Sequence, residues 1–197
     1  TLNQNIISVG VSGGSINTAG HDVVLAGKII DTATVLGQTY TNGRLVKSGA
    51  GKLTLTQDSD YDLGTDAGGN TLTGNTVING GVLSVASDGY LGAAVGTVNP
   101  GEKEVWKKGN LVIDGGTLET TSSLTSDRFI NVGYAGATID VSGASNTTTL
   151  RGLITKDSAT GTSADGGLVK DGDGILRISL QASKYVQAAG DTTSLIP

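Results

Sequence analysis

The stretch LVKSGAGKLTLT at 45–56 returns 123 residues later as LVKDGDGILRIS at 168–179. Leu45, Val46, Lys47, Gly49, Gly51 and Leu55 meet Leu168, Val169, Lys170, Gly172, Gly174 and Ile178. The correspondence extends upstream at the same offset. IISVGVSGGSINTAG (6–20) lies over FINVGYAGATIDVSG (129–143), pairing Gly10, Gly13 and Gly20 with Gly133, Gly136 and Gly143. LAGKII (25–30) meets LRGLIT (150–155) after a two-residue insertion, and Tyr61 meets Tyr185 downstream. The approximate repeat units are therefore 6–61 and 129–185. A shorter echo joins VINGGVLSV (77–85) to VIDGGTLET (112–120).

What recurs is an alternating aliphatic pair followed by a glycine turn. Leu53/Leu55, Leu83/Val85, Leu111/Ile113, Ile139/Val141 and Leu176/Ile178 are all i,i+2 pairs, which places each pair on one face of a strand. Thr54, Ser84, Val112, Asp140 and Arg177 stand between them. With one Trp, one Phe and five Tyr, the core must be aliphatic. The 32 glycines and two prolines suit many short strands joined by tight turns rather than a Pro-rich tail. Strands this short and this frequent predict an all-β solenoid, in which no turn of chain buries its inner face alone and neighbours must present matching faces. No segment sustains a 3.6-residue apolar period. The best helical candidates are EKEVWKK (102–108) and LQASKYVQAA (180–189).

The run GRLVKSGAGKLTLT, then Tyr61, then GNTVINGGVLSV, resembles the passenger-associated transport repeat of autotransporters, approximately G-L-x-K-x-G-x-G-x-L-x-L, a Tyr, and T-x-V-x-G-G-x-L. The first copy spans about 43–85 and the second begins at Gly166. GATIDVSG and TTLRGLI resemble the coils that lead into such a repeat, so the likeness covers most of the chain. One departure is the long DLGTDAGGNTLT between Tyr61 and Gly74, where a loop is expected to bulge. The resemblance implies a right-handed parallel β-helix displayed at a Gram-negative cell surface and exported through a C-terminal β-barrel. The chain would then be a passenger fragment, a single solenoid over 1–197. At about 20–25 residues per turn of chain it would make roughly nine turns.

Composition removes several function classes. Net charge is −5 and no basic stripe exists, so a nucleic-acid partner has little support. The longest apolar runs fall far below the roughly 18 residues a spanning helix needs; a membrane link is expected only through the β-barrel absent from this chain. No signal peptide opens the chain at Thr1, which predicts either a cytoplasmic protein or a mature piece of an exported one. Without cysteine there is no disulfide framework and no thiol chemistry.

Each candidate for chemistry meets a structural competitor. GVSGG (10–14) is a loose G-x-S-x-G, with His21 and Asp22 nearby, but Ser12 corresponds to Ala135 in the second copy, so a glycine turn outweighs a triad. Asp58, Asp60 and Asp62 have the spacing of a calcium-loop start. Yet Leu63 and Gly69 stand where the sharp turn and the bidentate Glu belong, which favours a solvated acidic loop. KDGDG (170–174) corresponds to KSGAG, so the shared role is turning. NTT at 146–148 fits a glycosylation sequon of little weight in a bacterial surface protein. No catalytic residue, metal site or cofactor is expected.

The stretch 92–110, GAAVGTVNPGEKEVWKKGN, interrupts two similar coils and holds the only Trp beside a cluster of Lys and Glu. Insertions in solenoids map to loops on one face, often the binding face. Trp106 with Lys103, Lys107 and Lys108 is the candidate binding group, suited to stacking on a sugar or meeting an acidic partner. The competing reading has Trp106 capping the coil edge under Lys stems. The function expected is structural display with adhesion or self-association. The partners expected are a host-surface or matrix glycan or protein, or the same protein on a neighbouring cell. A folding- or transport-promoting segment is the first alternative. A polysaccharide-degrading enzyme on the same fold is the second.

Overall fold

The computed structural model describes residues 7–8, 13–30, 33–35, 38–40, 44–58, 76–92, 111–156 and 166–179. In chain order the first strands are β1 (Ile7–Ser8), β2 (Gly14–Asn17), β3 (Val23–Leu25), β4 (Ile29–Ile30), β5 (Ala33–Val35) and β6 (Gln38–Tyr40). There follow β7 (Leu45–Ser48), β8 (Lys52–Leu55), β9 (Thr76–Asn79) and β10 (Val82–Val85), then a short 3₁₀ turn at Asp88–Leu91. The remainder is β11 (Leu111–Ile113), β12 (Gly116–Thr120), β13 (Leu124–Ser126), β14 (Ile130–Val132), β15 (Ala137–Val141), β16 (Thr147–Leu150), β17 (Ile154–Lys156), β18 (Leu168–Asp171) and β19 (Ile175–Ile178). No α-helix occurs among the described residues; the helical candidates at 102–108 and 180–189 lie outside them.

These strands form parallel sheets that take one strand from each round of chain. The first is ordered β17-β14-β11-β9-β7-β2, the second β18-β15-β12-β10-β8-β3, and the third β13-β16-β19. β1 pairs with β4 in parallel, and only β5 and β6 pair antiparallel among the described strands. The protein is all-β with parallel sheets, an arrangement consistent with a β-helix. Each round passes from a first-sheet to a second-sheet strand, as β7 does to β8 and β9 to β10.

In-register pairing stacks like on like. Leu53, Leu83, Leu118 and Ile139 form one continuous ladder in the second sheet. Ile78, Ile113 and Val132 form one in the first. All of these are buried, as are Leu55, Val85, Leu111 and Val141. The inward pairs expected from alternation therefore point inward from 53 to 141. Leu176 is half-buried against the core, but Ile178 is 52 % exposed. It stacks on the buried Leu150 as its position requires, and β19 is the last strand of its sheet. Ser84, between Leu83 and Val85, is also buried, because Lys52 and Glu119 lie over it from the flanking strands.

The glycine turns repeat in conformation as well as in sequence. Gly13 and Gly136 have φ of 77° and 83°, Gly20 and Gly143 have 85° and 90°, and Gly49 and Gly172 have 79° and 77°. A side chain there would sit in the left-handed region that only glycine enters freely.

The two copies do not occupy the same faces. β2 and β7 lie in the first sheet, whereas their counterparts β15 and β18 lie in the second. β8 lies in the second sheet and its counterpart β19 in the third; β3 and β16 stand in the same relation. β4 follows a second-sheet strand in the chain, and its counterpart β17 lies in the first sheet. Among the described strands, the counterparts of β2, β3, β7 and β8 in the second copy are thus each shifted by one sheet. What the repeat encodes is a strand, a glycine corner and a strand, and that unit fits any corner.

Candidate functional site

The stretch 92–110 is described only at Gly92, the cap of the 3₁₀ turn Asp88–Leu91. Its root is held by Arg128, a side chain only 2 % exposed. The Arg128 Nε donates to Asp88 Oδ1 at 3.0 Å, and Nη2 donates to the carbonyl oxygens of Asp88 at 3.0 Å and Gly92 at 2.8 Å. A buried guanidinium requires this many partners, because an unpaired buried charge is costly. Nothing in the repeat announces Arg128, since the position 123 residues earlier is Asn5.

The ends of two long connections meet at this root. Thr76, the first residue after 59–75, donates its hydroxyl to the Leu91 carbonyl at 2.9 Å. Leu111, the first described residue after 93–110, pairs with Thr76. Asp58, the last described residue before 59–75, accepts a long hydrogen bond of 3.5 Å from Ser87 Oγ. The described residues that flank 59–75 and 93–110 are thus neighbours, and each segment falls in sequence between a second-sheet and a first-sheet strand. Trp106, Lys103, Lys107 and Lys108 lie outside the described residues.

The outer face of the second sheet carries a charged ladder. Ser84, Glu119, Asp140 and Asp171 follow one another across β10, β12, β15 and β18. Lys52 reaches across β10 to Glu119, with Nζ 2.9 Å from Oε1 and 2.8 Å from Oε2. Burial pushes the Glu119 carboxyl up, but hydrogen bonds from Lys52 and Ser84 outweigh it and hold the group below its ordinary value. The same hydrogen bond raises the Lys52 ammonium. Asp140 shifts the other way: burial first, then repulsion from Glu119 and Asp171, outweigh the attraction of Lys52 and Lys170 and raise its carboxyl.

One functional-looking group was absent from the sequence-based expectations. Lys47 is fully buried, in the first-sheet ladder between Ile16 and Ile78. Its Nζ donates to the carbonyl oxygens of Ser48 at 3.0 Å, Gly49 at 2.8 Å and Gly80 at 3.1 Å. Burial lowers its ammonium below the ordinary lysine range. The ammonium therefore binds its own glycine corner to the corner of the next round. Lys170 makes the equivalent bond to the Gly172 carbonyl, but it is exposed. The signal was present in sequence: Lys47 has the inward parity of Leu45 and recurs in the second copy.

The remaining candidates serve turns where they are described. His21 is exposed, and its amide donates to the Thr18 carbonyl at 2.8 Å. Asp22 Oδ1 accepts from the Lys52 amide at 2.9 Å, and Ser12 lies outside the described residues. Of the three spaced aspartates only Asp58 is described. Asn146 Nδ2 donates to the Thr121 and Ser142 carbonyls at 3.1 and 2.5 Å, so it holds a corner. Among the described residues no group of three His, Asp or Glu is placed to hold a metal ion.

Stacked parallel strands joined by repeated glycine corners define an all-β chain built on parallel sheets. The chain is 34 % identical over 176 residues, 87 % of its length, to the adhesin BmaC autotransporter of Brucella suis biovar 1 (strain 1330). This likeness supports an origin in an autotransporter passenger, a protein of the Gram-negative cell surface associated with the outer membrane. The matched part is about 4 % of that relative's length. No family model matches the chain, and no solved structure matches it.

Proposed function

We propose that the chain is a segment of a right-handed parallel β-helix in an autotransporter passenger. Its role is adhesion or self-association, through contacts made by flat strand faces and by the connections that leave them. The partner is a host-surface or matrix glycan or protein, or the same protein on a neighbouring cell. Contact proceeds without bond chemistry. The observation that carries this reading is the similarity of most of the chain to an autotransporter adhesin. The joint root at Thr76, Leu91 and Gly92 supports it, because the described residues that flank 59–75 and 93–110 lie side by side, and insertions in solenoids map to one face, often the binding face. Trp106, Lys103, Lys107 and Lys108 are the groups proposed to make the contact.

The test is a triple variant, Trp106→Ala with Lys107→Ala and Lys108→Ala, coated on beads and compared with wild type in a cell-adhesion assay at two salt concentrations. The reading predicts an unchanged melting temperature, reduced adhesion and a weaker salt dependence. Undiminished adhesion by a folded variant would remove these residues from the contact. Turnover of an added polysaccharide would overturn the non-enzymatic assignment.

A second role is favoured by the Lys47 corner, which ties one round to the next and so suits a segment that promotes passenger folding and transport. A deletion of 43–85 that stopped surface display while leaving secreted material adhesive would separate the two roles.

A further inference from the structure

The corner between β9 and β10 reads Asn79-Gly80-Gly81, and its residues are held to very different degrees. Gly81 is wedged: a Cβ there would lie 2.3 Å from the Gly49 oxygen and 2.5 Å from the Gly51 oxygen. Gly80 has room, since a Cβ on it would meet nothing nearer than the Gly49 oxygen at 4.0 Å. Its φ is 109°, and its carbonyl accepts from Lys47 Nζ at 3.1 Å. Among the described residues the Gly80 amide donates no hydrogen bond. Asn79 is exposed, and its side chain makes no hydrogen bond among them either.

The other described asparagines stand in different surroundings. Asn17 Oδ1 accepts from the Ala19 amide at 2.8 Å, and Asn146 Nδ2 donates to the Thr121 and Ser142 carbonyls. Asn17, Asn131 and Asn146 are followed by Thr18, Val132 and Thr147, all β-branched and stiff. Asp114, which follows the paired Ile113 as Asn79 follows Ile78, is also engaged: its Oδ1 accepts from the Ala135 amide at 2.8 Å. Asn79 alone among the described asparagines combines a side chain without a partner and a glycine after it, whose missing Cβ leaves the nitrogen unshielded and the backbone free to turn.

We infer that Asn79–Gly80 is a site of spontaneous modification in the folded chain, which releases the tie between two rounds. The Gly80 nitrogen adds to the Asn79 side-chain carbon Cγ, and the Cγ–Nδ2 bond breaks. The Gly80 amide proton leaves with that nitrogen as ammonia, and a cyclic succinimide remains. Water then opens the ring. Cleavage of the bond from the Gly80 nitrogen to Cγ gives aspartate. Cleavage of its bond to the Asn79 main-chain carbonyl carbon gives isoaspartate, with Cβ inserted into the main chain. Aspartate keeps the backbone and matches Asp114, which precedes Gly115 and Gly116 in the next round. Isoaspartate lengthens the main chain just before the carbonyl that Lys47 reaches, while the wedged Gly81 cannot shift to compensate. The bond from Lys47 to Gly80 is therefore lost in that form. This reaction depends on the corner and not on adhesion, so its absence leaves the proposed contact surface untouched.

The test incubates the full chain at mildly alkaline pH and maps its peptides by mass spectrometry, with fragmentation that separates aspartate from isoaspartate. Mapping also keeps apart Asn42–Gly43, which lies outside the described residues. Conversion at Asn79 should exceed that at Asn17, Asn131 and Asn146 by about tenfold or more. Folding should slow it by about tenfold at most relative to the same chain unfolded in urea, because only local opening of the corner is needed. Asn79→Gln changes an exposed residue, retains the fold and should stay unconverted; an unaltered urea midpoint checks the fold. Chain separated in the isoaspartate form should exchange its amides at 80–83 faster than chain carrying Asn79→Asp, with equal exchange at 130–141. A larger slowing by folding, approaching the roughly thousandfold or more of a reaction that waits for global unfolding, would overturn the inference. So would conversion at Asn79 no faster than at the other three asparagines, or equal exchange at 80–83 in the isoaspartate and Asn79→Asp forms.

Discussion

The Nζ of Lys47 lies 3.1 Å from the Gly80 carbonyl oxygen in the following round, so a buried cation spans two layers of backbone. Lys47→Met fills the space but cannot hydrogen-bond: the Ser48 carbonyl still accepts from the Thr18 amide at 3.0 Å, whereas the Gly49 and Gly80 carbonyls lose the ammonium together. Leaving buried acceptors unpaired costs about 1–3 kcal/mol each way it has been measured, and the urea midpoint should fall accordingly. Lys170→Met, at an exposed position, should change stability by about 0.5 kcal/mol or less. Equal midpoints would show that the corner does not depend on the ammonium.

Lys47 also carries a pH signature. Its ammonium is lowered by burial from the ordinary 10.5. Between the lowered value and 10.5 the unfolded chain holds the proton and the folded chain does not. Stability therefore rises with pH across that window. Wild type measured against Lys47→Met should show this rise just below pH 10.5; a falling difference would contradict the assigned burial.

Two neighbours on the second sheet should respond to acid in opposite ways. Glu119 is held below its ordinary 4.5 by Lys52 and Ser84 against the effect of burial. Its contribution is present above 4.5 and is lost as pH falls through its folded value. Asp140 is raised above 3.8 by burial and by Glu119 and Asp171. The folded chain thus binds its proton first, and stability falls as pH rises from 3.8 through the raised value. Asp140→Asn should be neutral or stabilising at pH 7 and Glu119→Gln destabilising, each by about 1 kcal/mol or less in view of partial exposure. Denaturation midpoints at pH 7 and pH 4 decide this, and the same sign for both variants would contradict it.

Arg128→Met should destabilise the chain by about 3 kcal/mol, because it strands Asp88 and two carbonyls at a buried site. Exchange at Leu91 and Gly92 should accelerate more than at Ile139. A uniform change would show that Arg128 does not act at the root of 93–110.

Leu55→Asp and Thr54→Asp test the direction of β8. Leu55 is buried and Thr54 is half-buried on the outer face. The first substitution should cost several kcal/mol, on the order of 3 or more, and the second less than about 1. Equal urea midpoints would mean that the faces are reversed.

The inward aliphatics were legible because alternation fixes the face of every other residue, as at Leu53 and Leu55. The glycine corners were legible because a left-handed φ leaves few alternatives, as at Gly49 and Gly172. Lys47 obeys the same parity, but charge argues for exposure, and only the pairing of Ser48, Gly49 and Gly80 carbonyls reverses that argument. Arg128 left no trace, since its partners, the Asp88 carboxylate and the carbonyls of Asp88 and Gly92, lie 40 and 36 residues away. The one-sheet shift between copies was hidden for another reason. A strand–corner–strand unit carries no mark of which sheet it enters, and the connections at 31–43, 59–75 and 93–110 make the rounds unequal in length.

Parallel stacking of successive rounds is the claim on which the rest depends, and cysteine trapping measures it in a chain that has no cysteine of its own. Val46 pairs with Val77, and Val77 with Val112, in one ladder of half-buried outward residues. Neighbouring strands lie about 4.8 Å apart, inside the roughly 4.4–6.8 Å between Cα atoms that a disulfide allows. Two strands apart is about twice that spacing. On oxidation, Val46→Cys with Val77→Cys should cross-link within one chain, and Val46→Cys with Val112→Cys should not. Cross-linking of the second pair in place of the first would contradict the order of the rounds.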